Sequence, residues 1–336
     1  MRRPRTLLIS TVNQVLWPAA ITYIFAVMMT SLCTEYYQFI LAQGILGGIG
    51  IGMCITPAVS ATGHYFQERR AAAMGISIAG SSVGGVVFPI MLSKMLAHQA
   101  LGFGWTIRIC GFVMMAVMLP SCLAIRARLS PRKGKLFLPR AFLELPYDTL
   151  ILGTFMMLLG IFIPPFYLPA FAIGNGMSTE LANYLASIYN GASLFGRVIP
   201  GILADRLGRF NIYIMAAASS AVLGFCWQAV KTNAGIIVFA AVYGFCSGAI
   251  VSMTSVCLTL VPKDPKDIGT YLGMGLAGSA SAAFIGPPIS GAILARYGFT
   301  RVADFSGAVS AAGATTLVLA KWTTGKGIMS KFQERR

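Results

Sequence analysis

Apolar runs of about 20 residues recur along almost the whole chain, and they constrain its fold more than any other feature. Each run is long enough to cross a bilayer core of about 30 Å as a helix. The runs lack the alternation of apolar and polar residues that is typical of a barrel strand. Ten runs occur, at 12–32, 39–63, 71–97, 105–125, 150–171, 181–204, 212–230, 236–261, 268–294 and 305–322. The sequence therefore predicts an all-α integral membrane protein with about ten transmembrane helices.

Composition narrows the class of protein further. Charged residues make up 11% of the chain and hydrophobic residues 56%, whereas roughly 25% of a soluble domain is charged. So few charges could not cover the surface of a soluble enzyme. A nucleic-acid-binding protein could carry the net charge of +16, but it would not combine that charge with this hydrophobicity. We expect a lipid bilayer as a partner and no nucleic acid.

The cations lie mainly on one side of the predicted membrane. The two tails and every second connection hold 20 of the 26 Lys and Arg residues, the opposite connections hold five, and Arg197 lies inside a run. The more basic side of a membrane protein faces the cytoplasm. Both termini are therefore expected to be cytoplasmic, with the plasma membrane as the default location. The first run is too long for a signal peptide, and no small-residue cleavage site follows it.

The chain repeats itself at an offset of 198 residues. Residues 75–81 align with 273–279, and Pro89 aligns with Pro287. Two copies in the same orientation are typical of a transporter built from two halves. The predicted organisation is an incomplete four-helix bundle, a basic linker, a six-helix bundle and a tail, at 1–125, 126–148, 149–323 and 324–336. The first two helices of the second copy have no counterpart, so we expect two helices to be absent from the first copy.

A glycine-rich basic motif, GILADRLGRF, occupies residues 201–210 at the end of the sixth run. Its first glycine permits close approach of a helix, and its second permits a reversed turn. Its Asp and Arg side chains can pair with each other or with neighbouring helix ends. Together with the charged group at residues 68–70, these side chains indicate a latch. Its contacts would stabilise one conformation of the protein and would break in another. The predicted latch residues are Gly201, Asp205, Arg206, Gly208, Arg209, Glu68, Arg69 and Arg70.

The same motif carries a family resemblance. GxLADRxGR resembles the loop signature of the major facilitator superfamily, and the chain is similar to its monocarboxylate-porter branch in the fungal form. The supporting stretches are YYQFILAQG at 36–44, YFQERR at 65–70, GSSVGGVVFP at 80–89, GFGW at 102–105 and FGRVIPGILAD at 195–205. The resemblance implies two helical bundles that rock about a central site and transport a small organic anion, a monocarboxylate.

Arg197 is a cation within an otherwise uncharged run, where it is costly unless it faces a cavity or a partner. Asn183, Ser187, Asn190 and Ser193 recur with it every three or four positions, which places them on one stripe of the helix. An arginine can bind a carboxylate through two parallel hydrogen bonds. The alternative is an Arg197 side chain that snorkels to the headgroups. The family resemblance implies that Arg197 anchors the substrate carboxylate.

The resemblance also bears on proton coupling. Animal members of the branch carry an aspartate one turn before this arginine, where the present chain has Ser193. No Asp or Glu lies deep in a run, and neither histidine is central. A uniporter fits these facts as well as a carrier whose coupling residue lies in the two absent helices. Protons are therefore a candidate partner that the sequence does not establish.

Several residues are candidates for the substrate path, for helix kinks or for helix packing because of their positions alone. The residues expected to line the substrate path are Arg197, Asn190, Ser193, Tyr189, Tyr167 and Ser252. The last three could instead hydrogen-bond a carbonyl of a neighbouring helix. Pro89 and Pro287 predict kinks at equivalent positions of the two halves. Glycines at fourth positions predict two helix-packing faces, Gly44–Gly48–Gly52 and Gly80–Gly84.

Together these patterns predict a secondary active or facilitative transporter that works by alternating access. A membrane enzyme would need clustered catalytic groups at membrane depth, and an ATP-driven pump would need a phosphate loop; neither pattern occurs. No metal-binding or cofactor-binding spacing occurs either. The alternative is a truncated, transport-inactive carrier or a faulty gene model, because the two absent helices would wall one side of the substrate path.

Overall fold

The computed structural model describes residues 6–66, 69–97, 101–125, 137–262, 264 and 267–324, and these residues are almost entirely helical. The helices are α1 (Thr6–Thr30), α2 (Tyr36–Phe39), α3 (Gly48–Tyr65), α4 (Arg70–Ala97), α5 (Gly102–Ala124), α6 (Leu145–Ile161), α7 (Ile163–Gly174), α8 (Thr179–Leu207), α9 (Arg209–Cys226), α10 (Asn233–Leu258) and α11 (Ile268–Thr323). A π-helical segment (Ile40–Gly47) joins α2 to α3, and short 3-10 helices lie at Pro139–Leu143 and Trp227–Ala229.

Seven segments of the described chain are long and apolar enough to cross a membrane. They are Tyr36–Gly63, Arg70–Ala97, Gly102–Ala124, Leu145–Gly174, Arg209–Ala229, Asn233–Leu258 and Ile268–Thr323. Two predicted spans, those of α1 and α8, are not among the seven, and α8 carries the polar stripe. The all-α membrane fold is confirmed, while the count of ten spans stays a prediction.

Two helices break inside a membrane-length segment. α11 covers two predicted runs, and its backbone leaves helical geometry at Gly298, where φ is 78°. This positive φ is accessible to glycine and strained for other residues. α6 and α7 meet at Phe162, just before a pair of prolines. By contrast, α4 and α11 remain helical through Pro89 and Pro287, so the kinks predicted there stay predictions.

The helix boundaries reproduce the repeat of the sequence. α4 begins at Arg70 and α11 begins at Ile268, which are 198 residues apart (268 minus 70). α5 ends at Ala124 and α11 ends at Thr323, which are 199 residues apart (323 minus 124). The two segments therefore begin at equivalent positions of the aligned copies and end within about one residue of equivalent positions.

The chain forms two compact units, and one of the boundaries between them falls inside α4. One unit comprises Met1–Tyr65 and Val87–Gly134. In it, α1 packs against α3 and α5, and Leu16, Ala20 and Cys122 form a small buried apolar cluster. The other unit comprises Phe66–Val86 and Lys135–Arg336. The first half of α4 therefore packs with the C-terminal helices.

In the second unit, α6 lies along α11, α8 lies along α10, and α9 packs against both α10 and α11. A buried hydrogen-bonded chain ties three of these helices together. The hydroxyl of Tyr213 on α9 lies 3.1 Å from that of Thr154 on α6 and 2.9 Å from that of Thr254 on α10. Tyr147 donates to the carbonyl of Tyr271 at 2.6 Å. Because these polar groups are paired, they can be buried among apolar helices without a large cost.

The glycines that pack helices together differ from those predicted. Gly44, Gly48, Gly52 and Gly80 have no atom of another described element close to the position of a Cβ. A Cβ at Gly50 would instead lie 2.8 Å from the backbone nitrogen of Tyr23 on α1. The packing face of this segment is thus rotated away from the Gly44–Gly48–Gly52 face, and that prediction was wrong.

Candidate functional site

The polar stripe of α8 lies against the first half of α4, within the second unit. We call this contact the α4–α8 seam and define it as residues 71–86 of α4 and 187–205 of α8. Ser187, near one end, donates to the carbonyl of Val86 at 3.3 Å. Asp205, at the other end, accepts from the backbone nitrogen of Ala71. Because the residue number rises along one helix as it falls along the other, the two helices are antiparallel.

Arg197 lies near the middle of the seam and is half-buried. Its Nη1 donates to the backbone carbonyl of Ile78 at 2.8 Å and also to the hydroxyl of Ser81. Its Nε is buried and has no hydrogen-bond partner among the described residues. Part of the guanidinium thus holds α4, while one buried donor is unused and is able to bind an acceptor.

Two further members of the stripe contact α4 on the same face. Ser193 is 2% exposed, and its hydroxyl accepts from that of Ser82 at 3.4 Å. The Nδ2 of Asn190 donates to the carbonyl of Ala186 on its own helix at 2.8 Å. The rest of the Asn190 amide lies where a Cβ of Gly85 would be. The structure therefore brings Asn190, Ser193 and Arg197 together on one face, as the spacing predicts, and shows their partner to be α4.

Small residues allow the two backbones of the seam to approach closely. A Cβ at Gly75 on α4 would overlap the carbonyl of Arg197. A Cβ at Gly201 on α8 would lie 2.9 Å from the carbonyl of Ala71. Contacts this short exclude larger side chains, which is how small residues permit close helix packing in membranes. The close approach predicted for Gly201 is present.

Asp205 forms the polar end of the seam. Its Oδ2 accepts from the backbone nitrogen of Ala72 at 3.0 Å, and its Oδ1 accepts from that of Ala71 at 3.2 Å. Arg209 pairs with the same carboxylate at 3.1 Å, and both side chains are at least 90% buried. The amides of a first helical turn have no acceptor within their own helix. The carboxylate therefore caps the beginning of α4 while its charge is balanced by Arg209.

Asp205 contacts both kinds of partner that the sequence suggested, a neighbouring helix end at the beginning of α4 and an arginine of its own motif, Arg209. The role of these residues as a latch, with ion pairs to the group at 68–70, stays a prediction. Arg70 is buried and donates to the carbonyl of Thr259 at 3.2 Å. Arg69 and Arg206 line a cavity beside Asp205. Glu68 lies outside the described residues.

The turn after α8 has the predicted form. Gly208 has a φ of 100°, and this backbone conformation favours glycine because other residues carry a Cβ. Its amide donates to the carbonyl of Ala204 at 3.0 Å. The reversal places Arg209 at the start of α9, one helical turn from Asp205 in sequence. The turn glycine thereby supports the ion pair.

The remaining candidates lie away from this face of α8. Tyr167 on α7 donates to the carbonyl of Pro287 at 2.7 Å. The ring of Tyr189 lies 6.4 Å from that of Tyr243 on α10. Ser252 is fully buried in α10, and its hydroxyl has no partner among the described residues. Of the three residues, only Tyr167 forms the alternative contact, a hydrogen bond to a carbonyl of a neighbouring helix. The expected positions of all three along the substrate path stay predictions.

Sequence reasoning missed the partners that α4 contributes. Ser81 and Ser82 follow Gly80 in a run of small residues, and the structure places them opposite Arg197 and Ser193. Two adjacent serines in an apolar run could have indicated this contact, because a hydroxyl in the membrane needs a hydrogen-bond partner. The backbone carbonyl of Ile78 left no sequence signal.

Most acidic side chains in the part of the chain that the structure describes lie at or near helix ends, while Asp264 lies between α10 and α11 and Asp304 lies in α11 after the break at Gly298. Glu35, Glu144 and Asp267 are N-cap residues. Asp148 and Glu180 lie in first turns, and Asp205 lies in the last turn of α8. The same residues include no group of three His, Cys, Asp or Glu side chains that could hold a metal ion. Arg197 is therefore without a carboxylate partner in the middle of the seam.

Comparisons with known proteins place the chain in a family. The sequence profile of the Major Facilitator Superfamily matches residues 2–264 and 150–331. The aspyridones efflux protein apdF of Emericella nidulans is 48% identical over 324 residues, which cover 95% of this chain and 66% of that protein. The MFS-type transporter pynF of Aspergillus niger is 38% identical over 92% of this chain and 72% of its own length. The chain thus spans about two thirds to three quarters of the length of these relatives.

Solved structures agree on the fold. The Escherichia coli fucose:proton symporter superposes with a TM-score of 0.69 at 14% identity, covering 95% of this chain and 85% of that one. A bacterial homologue of the iron transporter ferroportin superposes with a TM-score of 0.65 at 15% identity, covering 95% and 85%. At these identities the likeness concerns the fold alone. With the profile matching most of its length and relatives at 38% to 48% identity, the chain is a member of the major facilitator superfamily.

Proposed function

We propose that this protein is a carrier, and not an enzyme, that moves a small organic metabolite across a membrane by alternating access. Its relatives support the proposal, since one is named an efflux protein for aspyridones and another is named an efflux protein for agnestins. The second of these, from Paecilomyces divaricatus, is 36% identical over 93% of this chain. By this relation the transported compound is a secondary metabolite, and the direction is export.

We further propose that the metabolite carries an acidic group, in keeping with the resemblance to the monocarboxylate-porter branch. The observation that carries this step is the buried, unused Nε of Arg197. A carboxylate at this position would satisfy that donor and balance a charge that has no acidic partner in the seam. Hydrogen bonds between ionised groups are stronger than neutral ones, and a charged side chain at membrane depth is expected to have a partner of this kind.

The neighbouring groups suit such a ligand. Ser193, Asn190 and Ser81 lie on the same face and offer polar contacts beside Arg197. Because the Nε is buried, the guanidinium would have to turn toward an acid, and this movement would weaken the hydrogen bond from Nη1 to the carbonyl of Ile78. The substrate would thereby loosen the seam at its middle, which couples binding to movement of α4. This coupling, rather than a chemical reaction, is the proposed role of the site.

The orientation and coupling are part of the proposal. By the charge asymmetry of the connections, the Asp205 end of α8 faces the cytoplasm, and the plasma membrane is the expected location. The described acidic residues offer no proton relay through the middle of the spans. We therefore favour facilitated export down a gradient, with proton coupling as the alternative.

The proposal is tested by flux from proteoliposomes. The purified full chain is reconstituted, the vesicles are loaded with a panel of fungal acidic metabolites, and release is followed by mass spectrometry against protein-free vesicles. We expect saturable release of at least one acid, inhibited by related acids more strongly than by their matched primary amides. Release that is not saturable, or equal inhibition by acid and amide, would contradict transport of an anion.

A further inference from the structure

A cavity of about 780 Å³ lies beside the polar end of the seam, within the second unit. It is formed by the first turns of α4 and the last turns of α8. Its lining includes two arginines, Arg69 and Arg206, and three apolar side chains, Phe66, Ile76 and Ile202. Neither the carbonyl contacts in the middle of the seam nor the pairing of Asp205 with Arg209 uses these five side chains.

The apolar part of the cavity is open. Phe66 is 52% exposed, Ile76 is 59% exposed and Ile202 is 45% exposed. The cavity is therefore an open groove with apolar side chains at its surface, which a lipid acyl chain could contact.

The charged residues of the cavity lie at helix ends. Arg69 precedes the first residue of α4, and Arg206 lies in the last turn of α8. Neither side chain makes an ion pair with a described acidic residue, and both are exposed. Asp205 also lines the cavity, but its two oxygens already accept from Ala71, Ala72 and Arg209.

Two cations and exposed apolar side chains in one cavity suit an amphipathic anion. We propose that an anionic phospholipid occupies this cavity, with its phosphate between Arg69 and Arg206 and an acyl chain along Ile76 and Ile202. Basic pockets between membrane helices on the cytoplasmic side bind the headgroups of such lipids. A free phosphate would gain the charge contacts but would leave the apolar groove without an occupant.

A lipid bound in the cavity would stabilise the contact between α4 and α8. The bound lipid would contact α4 and α8 at once, beside the carboxylate that caps α4. It would thereby stabilise the arrangement in which these two helices are together. An anionic leaflet would favour this arrangement, and a neutral leaflet would not. The inference concerns lipid binding and holds whether or not the transported compound is an acid.

The test measures lipid binding on the purified full chain and does not use transport. Phosphatidylserine or phosphatidylcholine is titrated into the protein, and native mass spectrometry measures how much of each lipid stays bound. The variant is the double substitution Arg69→Gln and Arg206→Gln, and the matched control is Arg296→Gln, an exposed arginine on α11. Melting temperatures in phosphatidylcholine alone show that each variant is folded. If the double variant does not fold, Ile76→Trp, which fills the groove and keeps both cations, replaces it.

We expect wild type and Arg296→Gln to retain phosphatidylserine in preference to phosphatidylcholine. At about 1 kcal/mol per basic residue, loss of both cations should weaken phosphatidylserine binding roughly 30-fold. Equal retention of the two lipids, or no change in the double variant and in Ile76→Trp, would overturn the proposal. Displacement of phosphatidylserine by glycerol phosphate or inorganic phosphate would show a free-phosphate site instead. Displacement by a transported acid would show a substrate entrance and would also overturn it.

Discussion

Asp205 illustrates how one side chain can join three segments of the chain. Its two oxygens bind the first amides of α4 and the guanidinium of Arg209 at distances of 3.0 to 3.2 Å. Hydrogen bonds to a charged group contribute about 1.5–3 kcal/mol each, more than neutral ones. Because the carboxylate is almost fully buried, a change there leaves both Arg209 and the α4 amides short of an acceptor.

At the residue scale we predict that Asp205→Asn destabilises the protein. The amide retains one acceptor oxygen but loses the charge that Arg209 and the beginning of α4 require. The expected loss in the free energy of unfolding is about 1–3 kcal/mol. Denaturant unfolding in mixed micelles measures it.

The matched control is Asp304→Asn. Asp304 also pairs with an arginine that is close in sequence, Arg301, at 3.3 Å, but these side chains are 37% and 69% exposed. Exposed pairs contribute about 0–1 kcal/mol. If the two substitutions have equal effects, the special role of Asp205 is wrong.

At the scale of elements, the α4–α8 seam shows what the sequence could and could not predict. The stripe of Asn190, Ser193 and Arg197 was visible because helical spacing places these residues on one face. Its partner was not visible, because α4 lies more than a hundred residues earlier and is apolar on most of its surface. In a soluble helix the apolar face marks the contact, but in a membrane helix the lipid-facing surface is apolar too.

The apolar surface of membrane helices also accounts for the error in the predicted glycine faces. Spacing alone favoured Gly44, Gly48 and Gly52, whereas Gly50 is the glycine in close contact with α1. Small residues occur on several faces of this segment, so the spacing did not select one. The bounds of the helices were easier to predict, because bilayer thickness sets the length of an apolar run. α4, for example, was expected at 71–97 and is observed at Arg70–Ala97.

For the seam itself we predict that Gly75→Ala is destabilising and Gly80→Ala is not. The added methyl at Gly75 would overlap the carbonyl of Arg197, while Gly80, five residues along the same helix, has no neighbour within 4 Å among the described residues. Overpacking costs about 1–3 kcal/mol, and alanine is otherwise the better helix former. Thermal unfolding of both variants compares them. A Gly75→Ala protein as stable as Gly80→Ala would show that the close approach is absent.

At the scale of the whole molecule, the family and the repeat were predicted from short motifs, and both are supported. The helix bounds follow the offset of 198 residues, and the superfamily profile covers most of the chain. The monocarboxylate branch and the substrate remain proposals, because binding specificity depends on a few side chains and not on the fold. The comparisons lend no support to the alternative of a truncated, inactive carrier or a faulty gene model.

Whether Arg197 binds the acidic group of the transported compound is tested most directly by the flux of the identified acid through the Arg197→Gln protein. Arg108→Gln is the control, since Arg108 also donates to a serine hydroxyl, that of Ser31 at 3.2 Å. Loss of a charge-assisted bond predicts roughly a 10- to 100-fold fall in kcat/KM. Arg197→Gln should also abolish the stronger inhibition by acids than by amides, while Arg108→Gln should retain it. Wild-type flux and acid selectivity in a folded Arg197→Gln protein would contradict the claim.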